Sequence, residues 1–307
     1  MNKDLKKKVI IDCDPGTDDA IAIMLALNSE ELDILGITTV CGNSPLENCT
    51  QNALDVIDFS SEKEIPVFAG LDKPIQRDIE FTDEYCGKNG VCDYEFEKSN
   101  RTKENISAID FIYDSAITEE KLTIISTGPM SNLAQALIKY PDLKDMDIEI
   151  ITMAGYYKVN PDVSTKRSEW NVYVDPEAFE IVCNSGLPIY TLGLDVSRTL
   201  KDENIDEIIN SCENNKWIDF LVHSKNYYIN KDLTPRSLLV DSLPVAFAIN
   251  NSISKFKLGS VKVKHQDVID SDIIKFDIGN ENANIYAAHT LDLECFVKLL
   301  IERVFKK

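Results

Sequence analysis

A chain of 307 residues with 52 acidic and 32 basic side chains carries a formal charge of −20, which argues against nonspecific binding to nucleic acid or to an anionic membrane surface. Its 44% hydrophobic content suits a sizeable buried core, the length fits one large α/β unit, and no stretch approaches the ~20 apolar residues that cross a bilayer. The N-terminal MNKDLKKKVIID has too short an apolar run for a signal-peptide core, and the eight scattered cysteines read as reduced core thiols, so a cytoplasmic enzyme is the expectation.

Val9-Ile10-Ile11 is a short apolar run that reads as a buried strand. Asp12 and Asp14 follow it, then the turn signal Pro15-Gly16. Thr17, Asp18 and Asp19 stand where a helix begins, with Ile21, Met24 and Leu25 at helical spacing behind them. Capping and the positive helix N-terminus account for Asp18 or Asp19, but not for Asp12 and Asp14 as well. Like charges this close repel, and a divalent cation is the natural partner for them.

A second strand over residues 32–40 ends in Cys41-Gly42-Asn43, and an amphipathic helix runs from Pro45 to Phe59. Residues 65–68 make a third strand, and the alternation of strand and helix implies a parallel sheet with right-handed crossovers. From about 71 to 105 the periodicity fails and no core face is evident, which suggests a lid loop. Cys86 and Cys92 lie within it, and with no histidine nearby they read as free thiols rather than a zinc pair. Helix 106–117, strand 121–125, helix 130–140, strand 147–153, a capped helix start at Asp175 and strand 188–193 continue the pattern. Helices are expected over 203–212, 214–229, 238–250 and 290–304, with two or three edge strands within 258–287. The chain shows no internal repeat.

Ligands of open α/β sheets bind outside the carboxyl ends of the strands, which brings Asp12, Asp14, Asn43, Thr127 and Met153 towards one crevice. An all-oxygen ligand set suits calcium or magnesium. Asp241 opens an apolar helix and reads, from its local sequence, as an N-cap.

DCDPGTDDA at 12–20 resembles the signature of the calcium-dependent nucleoside hydrolases, the inosine-uridine preferring group. The resemblance continues through TTVCGN (38–43), STGPMSNLA (126–134), MAG (153–155), EWNVYVDPEA (169–178) and the D-x-L-P-V-A element at 241–246. It implies a single-domain, open, mostly parallel sheet with helices on both faces, a Rossmann-like fold over residues 1–307. It implies hydrolysis of a ribonucleoside to free base and ribose. Ca²⁺ would be held by Asp14, Asp19, Asp241 and the Thr127 carbonyl, and would also bind two ribose hydroxyls and a water. Asp14 is the implied general base. Asp18, Asn43, Glu169, Asn171 and Asp241 would meet the ribose, with Met153 packed against it. A dimer or tetramer is the implied assembly.

Two departures bear on the leaving group. Val240 stands where many relatives have a histidine before the last aspartate, and Cys86-Gly87 where the lid often carries His-Gly. His223, His265 and His289 match neither place; His223, on a helix one turn before Tyr227, is within reach of the pocket but reads rather as a surface residue. Stacking on Trp170, Tyr227 or Tyr228, the lid residue Tyr85, or water would then assist the departing base. Alternatively the natural base is modified, a 7-deazapurine such as that of queuosine. A haloacid dehalogenase-type phosphatase is disfavoured because Gly16 occupies the fifth motif position. A non-catalytic calcium- or nucleoside-binding protein is the other rival.

Overall fold

Alternate residues of the first strand, β1 (Lys7–Cys13), face opposite ways: Val9, Ile11 and Cys13 enter one apolar core and Ile10 another. That split marks a sheet covered on both faces. The computed structural model describes residues 6–60, 63–79, 81, 83–265, 273–280 and 283–306. The strands are β1, β2 (Leu32–Thr39), β3 (Val67–Ala69), β4 (Leu122–Ser126), β5 (Ile148–Thr152), β6 (Ile189–Thr191), β7 (Ser254–Val263), β8 (Ile274–Ile278) and β9 (Ile285–Leu291). They form one nine-stranded sheet in the order β3-β2-β1-β4-β5-β6-β9-β7-β8. Pairing is parallel from β3 to β9; β7 runs antiparallel to both its neighbours.

The helices are α1 (Thr17–Leu27), α2 (Leu46–Ser60), α3 (Asp83–Cys86), α4 (Ala108–Thr118), α5 (Ser131–Lys139), α6 (Trp170–Val174), α7 (Pro176–Cys183), α8 (Leu194–Ser197), α9 (Asp202–Asn210), α10 (Lys216–Asn230), α11 (Ser242–Ile249) and α12 (Leu293–Leu300). One face carries α1, α2 and α9 to α12, the other α4, α5 and α7. Helix α1 is buried on nearly every side, with Asp18 its only residue partly open to solvent. Its burial fixes the aspartates of its first turn as firmly as the sheet fixes Asp12 and Asp14.

Two expectations change. The strands of 258–287 are not all at the edge: β9 lies inside the sheet between β6 and β7, and only its long-range pairing reveals this. Nor does the 71–105 stretch lack a core face. Tyr94 and Phe96 pack edge-on with Phe59, at 6.3 and 5.0 Å between ring centroids, and Phe59 in turn meets Trp217 at 4.8 Å. Cys92 is fully buried, and Asn52 Nδ2 donates to the Asn89 carbonyl at 2.8 Å. The loop is therefore pinned onto α2 and α10. The expected helix at 290–304 begins three residues later, at Leu293, and ends in a wider turn over Ile301–Phe305.

Candidate active site

The carboxyl ends of β2, β1, β4 and β5, neighbours in that order, deliver Asn43, Asp12 with Asp14, Thr127 and Met153 to one place. Asp12 does not reach into the crevice. Its Oδ1 accepts from Thr38 Oγ1 at 2.6 Å and from Asn132 Nδ2 at 2.8 Å, which ties β1 to β2 and to α5. Asp14 Oδ2 accepts from the Asn43 backbone N–H at 2.6 Å, while its Oδ1 is buried with no hydrogen-bond partner among the described residues. Glycines make room for it: a Cβ on Gly42 would overlap Asp14 Oδ2, and one on Gly128 would lie 2.8 Å from Oδ1.

Asp19 is braced on both oxygens. Oδ1 accepts from Thr127 Oγ1 at 2.6 Å, and Oδ2 accepts from the Gly16 N–H at 3.0 Å and from Asn43 Nδ2 at 3.2 Å. Carboxylate oxygens of Asp18, Asp19 and Asp241 all lie within 4.8 Å of one another. Asp241 occupies the N-cap position of α11 but caps none of its N–H groups. The capping expectation for that residue is thus replaced by membership of the acidic cluster.

Glu169 and Asn171 are first of all braces. Glu169 accepts from the N–H groups of Asn171, Val172 and Gly155 at 2.7, 3.0 and 3.1 Å, capping α6 and holding the loop after β5. Asn171 Nδ2 donates to the Thr127 carbonyl at 2.7 Å and the Met153 carbonyl at 3.0 Å, joining the ends of β4 and β5.

Burial and mutual repulsion push these carboxyls upward. Burial raises Asp12 to about 6; burial and the charge of Asp19 raise Asp18, deep in the fold yet partly open to solvent, to about 7. Asp14 and Asp241 are pushed well above the usual range by burial and then by their aspartate neighbours, and Asp19 is raised by burial. Among the described residues no lysine, arginine or histidine pairs with any of them. Buried acids without a counter-ion, offering only oxygen donors, fit a hard divalent cation.

The opposite side of the crevice has no imidazole. Cys86 Sγ lies 3.7 Å from Asn43 Oδ1. Tyr228 is buried, and after burial the charge of Asp18 is the main cause holding its phenol well above its usual range. His223 is exposed on the outside of α10, its Nε2 2.9 Å from the Cys92 carbonyl. His265 sits between Glu177 and Glu180 on α7, and His289 lies on β9. Tyr85 is exposed, and Trp170 Nε1 is buried without a partner among the described residues.

The family model of the inosine-uridine preferring nucleoside hydrolases matches residues 9–298. The chain belongs to that family. It is an enzyme of the nucleoside N-ribohydrolase class. The pyrimidine-specific ribonucleoside hydrolase RihB of Escherichia coli is 38% identical over 193 residues, 62% of this chain and 61% of RihB. Among solved structures, a purine-preferring ribonucleoside hydrolase from Gardnerella vaginalis superposes with a TM-score of 0.84 at 31% identity, covering 97% of this chain and 98% of that one. The plant nucleoside hydrolase PpNRh1 superposes with a TM-score of 0.87 at 26% identity, over 99% of this chain and all of the other.

For a nucleoside hydrolase the crevice explains residues that local sequence signals leave silent. Asn132, which donates to Asp12 and to the Thr39 carbonyl at 3.1 Å, carries no motif beyond its place in STGPMSNLA. Gly42 and Gly128 matter for the volume they leave free around Asp14.

Proposed function

We propose that this hydrolase cleaves the N-glycosidic bond of a ribonucleoside with water, using Ca²⁺ held by Asp14, Asp19, Asp241 and the Thr127 carbonyl. The observation that carries the reading is Asp14 Oδ1, a fully buried carboxylate oxygen with no partner among the described residues, together with the cluster of buried Asp19 and Asp241 and partly open Asp18. When bound, the ion supplies orientation of the sugar hydroxyls and a water of lowered pKa.

Asp14 Oδ1 takes a proton from the attacking water. Burial that raises the affinity of Asp14 for a proton makes it a stronger base once it is ionised. The water oxygen bonds to the anomeric carbon as the C1′–N bond breaks, and the base departs with the electron pair and acquires a proton. The sugar passes through an oxocarbenium-like state, whose positive charge the surrounding carboxylates stabilise. Asp18, Asn43, Glu169, Asn171 and Asp241 hold the ribose hydroxyls and Met153 packs on the ring. The relatives differ in the base they are named for, pyrimidine in one and purine in another, so the preferred base follows from this chain's own leaving-group side. Cys86, Val240 and Tyr228 offer no imidazole there, which favours substrates whose base leaves readily or is modified. The enzyme acts in the cytoplasm as a homo-oligomer.

A panel of ribonucleosides assayed for free ribose tests the proposal. Turnover of at least one, abolished by chelation and by Asp14→Ala, is expected. No release from any ribonucleoside, with Ca²⁺ bound, would leave only a binding protein.

A further inference from the structure

Asn43 is held unevenly. Its Nδ2 donates to the Asp14 carbonyl and to Asp19 Oδ2, both at 3.2 Å, the long end of the range for such bonds. Two acceptors on that side fix which end of the amide is nitrogen, because a flipped amide would set its oxygen against two oxygens. The amide oxygen then faces the lid, where among the described residues its one donor is the Cys86 thiol, with Sγ 3.7 Å from Oδ1. The segment that carries this thiol is built to hold it still. The Cys92 N–H donates to the Cys86 carbonyl at 2.7 Å. Cys92 is itself anchored: Thr17 Oγ1 in the first turn of α1 meets its Sγ at 3.1 Å, and His223 Nε2 on α10 lies 2.9 Å from its carbonyl. Between the two cysteines, Asn89 Oδ1 accepts from the N–H groups of Val91 and Asp93, each at 3.0 Å. Gly87 turns the chain at φ 77°, where a Cβ would lie 2.8 Å from the Asp93 nitrogen. Burial, then the charge of Asp18, holds the Cys86 thiol well above its ordinary range, so the sulfur keeps its proton and donates.

We propose that Cys86 is a positioning residue of the ribose site, its S–H fixing the Asn43 amide so that one lone pair of Oδ1 is left for a sugar hydroxyl. Cys86 then acts on the choice of sugar and not on the departing base. The inference deepens the ribohydrolase reading above and rests on it. An amide oxygen accepts two hydrogen bonds. The thiol takes one, and a ribose hydroxyl supplies the other, which a deoxy sugar cannot do. Without the thiol the amide is held through Nδ2 alone, by two long bonds, and its oxygen is free to tilt away from the sugar. The backbone N–H of the same Asn43 grips Asp14 at 2.6 Å, so the sulfur is tied to the half of the crevice that meets the ribose. A thiol turned to the base would instead alter which base is preferred.

Calorimetry on the Ca²⁺-loaded protein, titrated with ribose, 2-deoxyribose and 3-deoxyribose, tests the thiol apart from turnover. Cys86→Ala should weaken ribose by about two- to tenfold, the worth of one neutral hydrogen bond, and leave at least one deoxy sugar bound as in the wild type. Cys86→Ser, which returns a hydroxyl donor, should recover part of the loss. In turnover, Cys86→Ala should lower kcat/KM for a ribonucleoside relative to its deoxy analogue by the same factor, chiefly through KM, with the ratio of inosine to uridine rates unchanged. Unchanged ribose affinity in Cys86→Ala, equal weakening of all three sugars, or a serine variant no better than alanine would overturn the proposal. So would a shifted inosine-to-uridine ratio with sugar selection intact, which would place the thiol at the base and leave the ribohydrolase reading standing. Sugar binding that responds to the variants as expected, with no nucleoside cleaved by any form, would sustain the role of Cys86 and overturn the ribohydrolase reading.

Discussion

The backbone N–H of Asn43 holds Asp14 by one oxygen, Oδ2, at 2.6 Å, and leaves the other buried and unpartnered. A carboxylate gripped on one side and bare on the other is oriented for a ligand. Asp14→Asn keeps the volume but removes both the base and one charge. It should lower turnover by about 10²–10⁴-fold, as loss of a general base does, without lowering the melting temperature, because a buried repulsive charge is removed. Steady-state rates and a thermal melt on the same preparation check this.

Gly42 is the cheapest place to disturb that grip. A methyl group there overlaps Asp14 Oδ2 and would lie 2.9 Å from Pro129 Cδ, so Gly42→Ala must rotate the carboxylate away from the Asn43 N–H. Turnover and Ca²⁺ affinity should both fall at least about tenfold, while circular dichroism stays that of the wild type. Unchanged Ca²⁺ affinity would mean that Asp14 is not a ligand.

The raised carboxyls fix a pH dependence. An acid whose pKa is higher in the folded than in the unfolded chain binds more protons when folded, so metal-free stability falls as pH rises through that interval. With Asp12 raised to about 6 and Asp18 to about 7, metal-free protein should lose stability from about pH 4, the ordinary carboxylate range, up to about pH 7. A bound cation favours the ionised forms. Ca²⁺ affinity should therefore climb over the same interval with release of protons, measurable by calorimetry in buffers of different ionisation enthalpy.

Much of this site was legible in the sequence because its residues stand at strand ends and helix starts, where periodicity stops. Asp12, Asp14, Asp18 and Asp19 were too many for capping; Asp18 and Asp19 meet Asp241 in one acidic cluster, whereas Asp12 turns to Thr38 and Asn132. Asp241 shows the limit of local signals: its neighbours make a good N-cap sequence, yet its side chain turns to Asp18 and Asp19, 222 residues or more away in the chain. Asn132 reaching Asp12 across 120 residues, and Asn171 joining Thr127 to Met153, are tertiary facts without a local trace. The core contacts of Tyr94 and Phe96 leave little local trace because the two aromatics sit at strand spacing in a segment that joins no sheet among the described residues. The interior place of β9 was hidden because pairing order is not written in a strand's own residues.

The leaving-group side gives a further test. Val240 packs against the Met153 wall and no histidine partners the crevice acids, so unaided departure of the base should make inosine slow relative to p-nitrophenyl riboside. Val240→His should raise inosine turnover more than p-nitrophenyl riboside turnover. Inosine cleaved by the wild type as fast as the activated riboside would point to an acid on the Cys86–Tyr228 side.

The sugar half should be strict. Hydroxyls read by buried polar groups are discriminated by about 10⁴-fold in favourable cases, and 2′-deoxyribonucleosides should be poor substrates. Equal kcat/KM for a ribonucleoside and its 2′-deoxy analogue would contradict the assignment of Asp18, Asn43 and Asn171.

The central claim, metal-dependent hydrolysis in the Asp14/Asp19/Asp241 crevice, is tested most directly by stripping the purified protein with chelator and returning Ca²⁺ stepwise while ribose release from a ribonucleoside is followed. The expected result is no release from the stripped protein and a saturable return that tracks Ca²⁺ occupancy, shifted to much higher Ca²⁺ in Asp241→Ala. Full turnover by the stripped protein, or an identical Ca²⁺ response in Asp241→Ala, would contradict it.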